Sequence, residues 1–110
     1  MAVYRFVDIS TAHVTPEDME LLENQKSLGV VAYNYPEGVF VYVPPKDDLP
    51  TTLGAAQESG LSDSFCKALT YASSQGAYLL RLDADGDMID DPQLDIHDWG
   101  SSRDESRSLQ

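Results

Sequence analysis

The chain has 110 residues, a formal charge of −12 and a single cysteine. That length allows one domain with a core of its own, and the lone Cys66 excludes an internal disulfide and fits a reducing cytoplasm. Seven lysines and arginines against nineteen acids argue against direct binding of nucleic acid, which needs cations to displace counterions.

Residues 3–9, Val3-Tyr4-Arg5-Phe6-Val7-Asp8-Ile9, are β-branched, aromatic and half-alternating, which predicts a strand. They also lack the basic-then-apolar layout of a signal peptide. Thr15-Pro16-Glu17-Asp18 then has the layout of a helix start: Thr15 caps, Pro16 suits the first position and Asp18 closes a capping box. This helix runs to about Gln25, with Met19 and Leu22 inward. Val30–Tyr35 and Val39–Val43 form a hairpin across Pro36-Glu37-Gly38, and Pro44-Pro45 stops its second strand. Residues 44–60 read as a long loop with one helical turn near Leu53–Gln57. A second helix starts at Ser62, buries Phe65, Leu69 and Ala72 with Cys66 beside them, and ends at Gly76. Ala77–Asp83 is the last strand.

The order β-α-β-β-α-β predicts an α+β, ferredoxin-like fold, with one antiparallel sheet and two helices on one face. Right-handed crossovers place the first and last strands side by side in the middle. Residues 1–99 make the domain and 100–110 a flexible, serine-rich tail. If Val39, Val41 and Val43 face the helices, Phe40, Tyr42, Tyr4 and Phe6 face the other way. The apolar residues Met88, Ile89, Leu94, Ile96 and Trp99 are expected to cover that face or add a strand. No apolar run reaches the ~20 residues of a membrane span.

Seven aspartates, Asp83, Asp85, Asp87, Asp90, Asp91, Asp95 and Asp98, lie in sixteen residues without a lysine or arginine. Asp83-Ala84-Asp85-Gly86-Asp87 copies the first half of a calcium loop, but Met88 and Leu94 stand where its glycine and bidentate glutamate belong. A tight turn on Asp85-Gly86 is the expectation, with no metal site and no cofactor. His13 and His97 carry no ligand spacing, and His13 is expected to bond loop carbonyls. Cys66, on a buried helix face, reads as an inert thiol, and no catalytic residue is assigned.

Ile9-Ser10-Thr11-Ala12-His13 before a proline-started helix, the hairpin strand Val39-Phe40-Val41-Tyr42, and a strand leading into aspartates that end in Asp98-Trp99 resemble a family of short proteins of unknown function. The resemblance covers residues 3–99; the 46–60 loop and the tail depart from it. It implies carriage on mobile elements of proteobacteria and no established activity.

The expected function is therefore a non-enzymatic acidic protein that docks Asp83, Asp85, Asp87, Asp90, Asp91, Asp95, Asp98 and Trp99 on a basic protein surface. The resemblance suggests a host or defence protein that grips nucleic acid, inhibited by a DNA mimic. The alternatives are a metal-dependent enzyme or sensor using His13, His97 and aspartates, and a homodimer through the aromatic face.

Overall fold

The computed structural model describes residues 5–24 and 29–97. In chain order they form β1 (Phe6–Ser10), a 3-10 turn (Thr11–His13), α1 (Pro16–Asn24), β2 (Ala32–Tyr35), β3 (Gly38–Tyr42), α2 (Leu49–Glu58), α3 (Asp63–Ser74) and β4 (Leu79–Asp83). The strands make one four-stranded sheet in the order β1-β4-β3-β2. β1 runs parallel to β4, and the other two pairings are antiparallel.

The helix starts form as their sequences dictate. Thr15 Oγ1 accepts from the Asp18 amide and Asp18 Oδ2 accepts from the Thr15 amide, both at 3.0 Å, which closes the capping box of α1. The same carboxylate accepts from the Ser62 amide at 2.8 Å and from the Ser62 hydroxyl. Ser62 in turn caps α3 by accepting from the Phe65 amide. Buried Asp18 thus ties two helix N-termini together. At the other end of α3, Gly76 takes φ +74°. The Ala77 amide there reaches Ala72 O and the Gly76 amide reaches Ser73 O, which satisfies the last carbonyls of the helix.

All three helices contribute to one core on one sheet face. Met19, Leu22, Ala56, Phe65, Leu69 and Ala72 join Ile9, Val39, Val41, Leu80 and Leu82 there. Full burial of the larger of these side chains, the alanines excepted, contributes about 1.5–3 kcal/mol each. Among the described residues no helix is long and apolar enough to cross a membrane.

Three expectations are corrected. The sheet is mixed, not antiparallel, and its order is not the one a ferredoxin-like domain requires: the first and last strands are neighbours, but β4 is interior beside β3 while β1 is at an edge. Register explains this. Leu80 and Leu82 are flanked by Val7 and Ile9 on one side and by Val41 and Val39 on the other, so the strand with most to bury takes the middle. β1, with exposed Phe6 and Asp8, takes an edge, where charge is tolerated. Second, residues 49–58 are a helix instead of a loop. Leu49, Leu53 and Ala56 stand at i, i+4 and i+7 and face the core, and Pro50 sits in the first turn, where no amide bond is lost. Third, the segment after Asp83 neither covers the aromatic face nor adds a strand within the described residues. It crosses the ends of β1 and β4, and Leu94 and Ile89 pack into the helix-side core. Tyr4, Trp99 and the 100–110 tail lie outside the described residues.

Replacing Asp18 by alanine leaves the Thr15 and Ser62 donors without their acceptor. The expected loss is about 3 kcal/mol in urea unfolding, with Asp18→Asn retaining part of it.

Candidate functional site

The acidic segment is laid down by a chain of backbone contacts. β4 ends at Asp83, whose Oδ1 accepts from the Asp85 amide at 2.7 Å while its carbonyl accepts from the Gly86 amide at 2.9 Å. Gly86 is required here because a Cβ would come within 2.5 Å of Ile9 O. The turn delivers Asp87 O to the Ser10 amide at 2.8 Å.

His13 then fixes the rest. Its ring is completely buried. The Ile89 amide donates to Nε2 at 2.8 Å, and Nδ1 lies 2.8 Å from Asp95 O. A backbone N–H can only donate and a carbonyl can only accept, so the ring is neutral with its proton on Nδ1. One imidazole therefore holds two points of the segment six residues apart, and the His97 amide adds a third through Ala12 O at 2.7 Å. His13 bonds a loop carbonyl, as expected from its position.

The aspartates divide into two groups. Asp83 is buried on the open sheet face, where the Tyr35 hydroxyl and Arg81 Nη2 both donate to Oδ2. These bonds, the Tyr35 one first, hold its pKa below the ordinary carboxylate value. Burial, then Asp83 itself, pushes the Tyr35 hydroxyl up. Asp95 accepts from the Ser64 hydroxyl at 2.7 Å and pairs with Lys67 at 3.1 Å, and both lower its pKa, Ser64 first. Asp91 is half-buried and accepts from the Gln93 amide in a local turn. Asp85, Asp87 and Asp90 are exposed. Asp98 and Trp99 lie outside the described residues.

Ser64, Asp95 and His97 stand together in a way that composition alone could not show. Ser64 Oγ is 2.8 Å from His97 Nε2. The ionised carboxylate can only accept, so the single hydroxyl proton goes to Asp95 and His97 Nε2 must donate to Ser64. A nucleophilic serine needs the reverse direction, with the imidazole accepting. This triplet is a lock on the segment. Burial, then Asp63 and Asp18, pushes the Cys66 thiol up, away from the reactive thiolate. Both nitrogens of His13 are spent on backbone groups. Among the described residues no group of three or more His, Cys, Asp or Glu side chains is placed to hold a metal ion.

The opposite sheet face carries Phe6, Asp8, Tyr33, Tyr35, Phe40, Tyr42 and Arg81. The alternation that turns Val39 and Val41 to the helices turns these residues away. Phe6 is 51% and Tyr33 60% exposed. The Arg81 guanidinium lies 5.4 Å from the Tyr35 ring centre and 5.7 Å from that of Phe40, within reach of Asp8 and Asp83. At the end of the sheet away from the acidic segment, a cavity of about 460 Å³ is lined by Arg5, Tyr42, Pro44, Lys46 and Tyr78 among others. No sequence motif pointed to it.

This architecture defines a small α+β domain with an acidic segment locked across one sheet end. Residues 6–99 match the C-terminal domain of a family of unknown function, DUF5983, and the chain belongs to that family. No curated protein and no solved structure matches it.

Substituting His13 by alanine is expected to cost about 3 kcal/mol and to raise amide hydrogen exchange at Ile89 and His97 before the β3–β4 ladder opens. The pH dependence has a definite sign. Asp83 and Asp95 titrate lower in the folded chain than the ordinary 3.8. Their stabilisation is complete above that value and is lost as pH falls through the depressed folded values. Thermal unfolding followed from neutral pH into acid should drop below about pH 4, and Asp83→Asn should flatten that limb.

Proposed function

We propose that the protein is a non-enzymatic binding module that docks its acidic end on a basic protein surface. The observation that carries this reading is the fixed geometry of residues 84–97. The segment has no helix or strand, yet Ser10, Ala12, His13 and Ser64 hold it, and Asp85, Asp87 and Asp90 remain exposed. A segment already ordered before contact loses little entropy on binding, and clustered charge accelerates encounter with a basic partner. The lone buried thiol of Cys66 suits action in the cytoplasm.

The partner that fits is a protein whose basic surface normally grips nucleic acid. The resemblance to proteins of mobile elements makes a host or defence protein the favoured target, with inhibition as the outcome. The mode of contact is charge docking more than strict imitation of DNA. Alternate residues of an extended segment are ~6.8 Å apart, and one DNA strand carries a charge every ~3.4 Å. The exposed sheet face favours a second mode, self-association of the chain.

The test is affinity capture from nuclease-treated host lysate, followed by elution with salt or duplex DNA. Retained proteins should be released by ~0.5 M salt and by DNA. They should be lost when Asp85, Asp87 and Asp90 are all changed to asparagine. Retention that ignores both salt and the triple substitution would overturn the proposal.

A further inference from the structure

We infer that two copies of the chain pair through the open sheet face with their strands antiparallel, so that Arg5 of each lies over the acidic turn of the other and Lys46 over Glu37. This rests on the reading of that face as a self-association surface and adds its orientation. The face presents exposed Phe6 and Tyr33 on its two edge strands with half-buried Phe40 and Tyr42 between them around Arg81, and no described residue covers it. Contiguous exposed aromatic surface of this kind marks an interaction site.

The orientation follows from where charge sits along the strands. Of the four cations among the described residues, Lys67 and Arg81 are paired with aspartates, while Arg5 and Lys46 make no ion pair there. Arg5 precedes β1 and Lys46 follows β3, so both mark one end of the sheet. Glu37, Asp83, Asp85 and Asp87 gather at the other end, where Ala84 bonds Glu37 and Asp87 bonds Ser10.

Two sheets can meet face to face about a two-fold axis along the strands or across them. The first puts acidic end on acidic end. The second lays each strand over its own copy in reverse and brings Arg5 over the 85–87 turn. Asp47 and Asp48 beside Lys46 make the cationic end close to neutral overall, which still favours the second arrangement over like-charge contact.

Four strands ~4.8 Å apart and five residues long give a footprint of roughly 19 by 17 Å. That is small beside the ~800 Å² that each partner contributes to a standard stable complex. The dimer is therefore reversible, with a dissociation constant on the order of 0.1 mM.

Sedimentation equilibrium of the full chain, from about 5 µM to about 1 mM, tests both parts. Association should appear in the upper range, weaken with salt, and vanish in Phe6→Asp/Tyr33→Asp, two exposed positions that leave the core intact. A chain that stays monomeric throughout removes the face as a self-association surface. The Asp85→Lys/Asp87→Lys variant tests the orientation. It should dimerise about tenfold more weakly, because lysines then lie over Arg5, and should recover when mixed with Arg5→Asp/Lys46→Asp. A dimer that tightens in the lysine variant would overturn the antiparallel arrangement and leave the face itself intact.

Discussion

The fold's acidic end depends on one buried imidazole. Without His13 the chain beyond Asp87 would be held mainly at its far end, by Ser64 and Lys67 on Asp95, by the His97 amide on Ala12 O and by Leu94 in the core. With it, two backbone groups six residues apart are referred to one rigid ring, and that ring is positioned by the 3-10 turn directly after β1. Ser10 contributes twice here, its hydroxyl capping the turn at the Ala12 amide and its own amide bonding Asp87 O. The irregular stretch 84–97 thereby acquires the precision of a secondary-structure element. The 3-10 turn sends Ala12 and His13 inward and leaves Thr11 half-buried.

Carboxylates gathered in sequence become unlike one another once folded. Asp83 and Asp95 each receive two side-chain donors, and their pKa values fall accordingly. They do structural work, and their charge is largely spent on Arg81 and Lys67. The exposed remainder, Asp85, Asp87 and Asp90, has no cation beside it in sequence and keeps its charge for the outside. Mutual repulsion among such groups would ordinarily spread a loop. Here the anchors at Asp87, Ile89, Asp95 and His97 oppose it, so part of the stability of the 3-10 turn and of the α3 N-terminus holds the charge in place.

Local signals were legible in the sequence wherever one residue type had a single job. The Thr15–Asp18 box, the Ser62 cap and Gly76 follow from backbone chemistry within five residues, and the inward set of α3 from helical spacing. Strand order was not legible, because it is decided by which strand has most to bury on both sides, a comparison between distant segments. α2 was readable in principle from the Leu49, Leu53, Ala56 spacing, but Pro50, Thr51, Thr52 and Gly54 mask it with poor helix formers. The match over residues 6–99 bears out an uncharacterised domain spanning most of the chain. Of the candidate site, the aspartates could be named but not sorted. Nothing in the run distinguishes Asp83, which meets Tyr35 and Arg81 from other strands or across the strand pleat, from Asp85 two residues later.

Arg81 decides what can lie on the open sheet face. A lone guanidinium amid aromatic rings would invite a phosphate or a stacked base. This one already donates to Asp83 at 2.8 Å and to the Tyr35 hydroxyl at 2.8 Å, and has Asp8 at 3.8 Å. Its positive charge is answered twice on the same face, so an incoming phosphate would meet two carboxylates with the arginine. That arrangement disfavours a phosphate at this arginine. It has the opposite effect on a protein surface. Burying an unpaired arginine is costly, whereas a guanidinium that keeps its carboxylate and hydroxyl partners carries its hydrogen bonds with it under cover. The polar centre of the face is thus compatible with being covered by apolar and aromatic side chains, and the rings of Phe6, Tyr33 and Phe40 around it supply the apolar area that makes covering favourable.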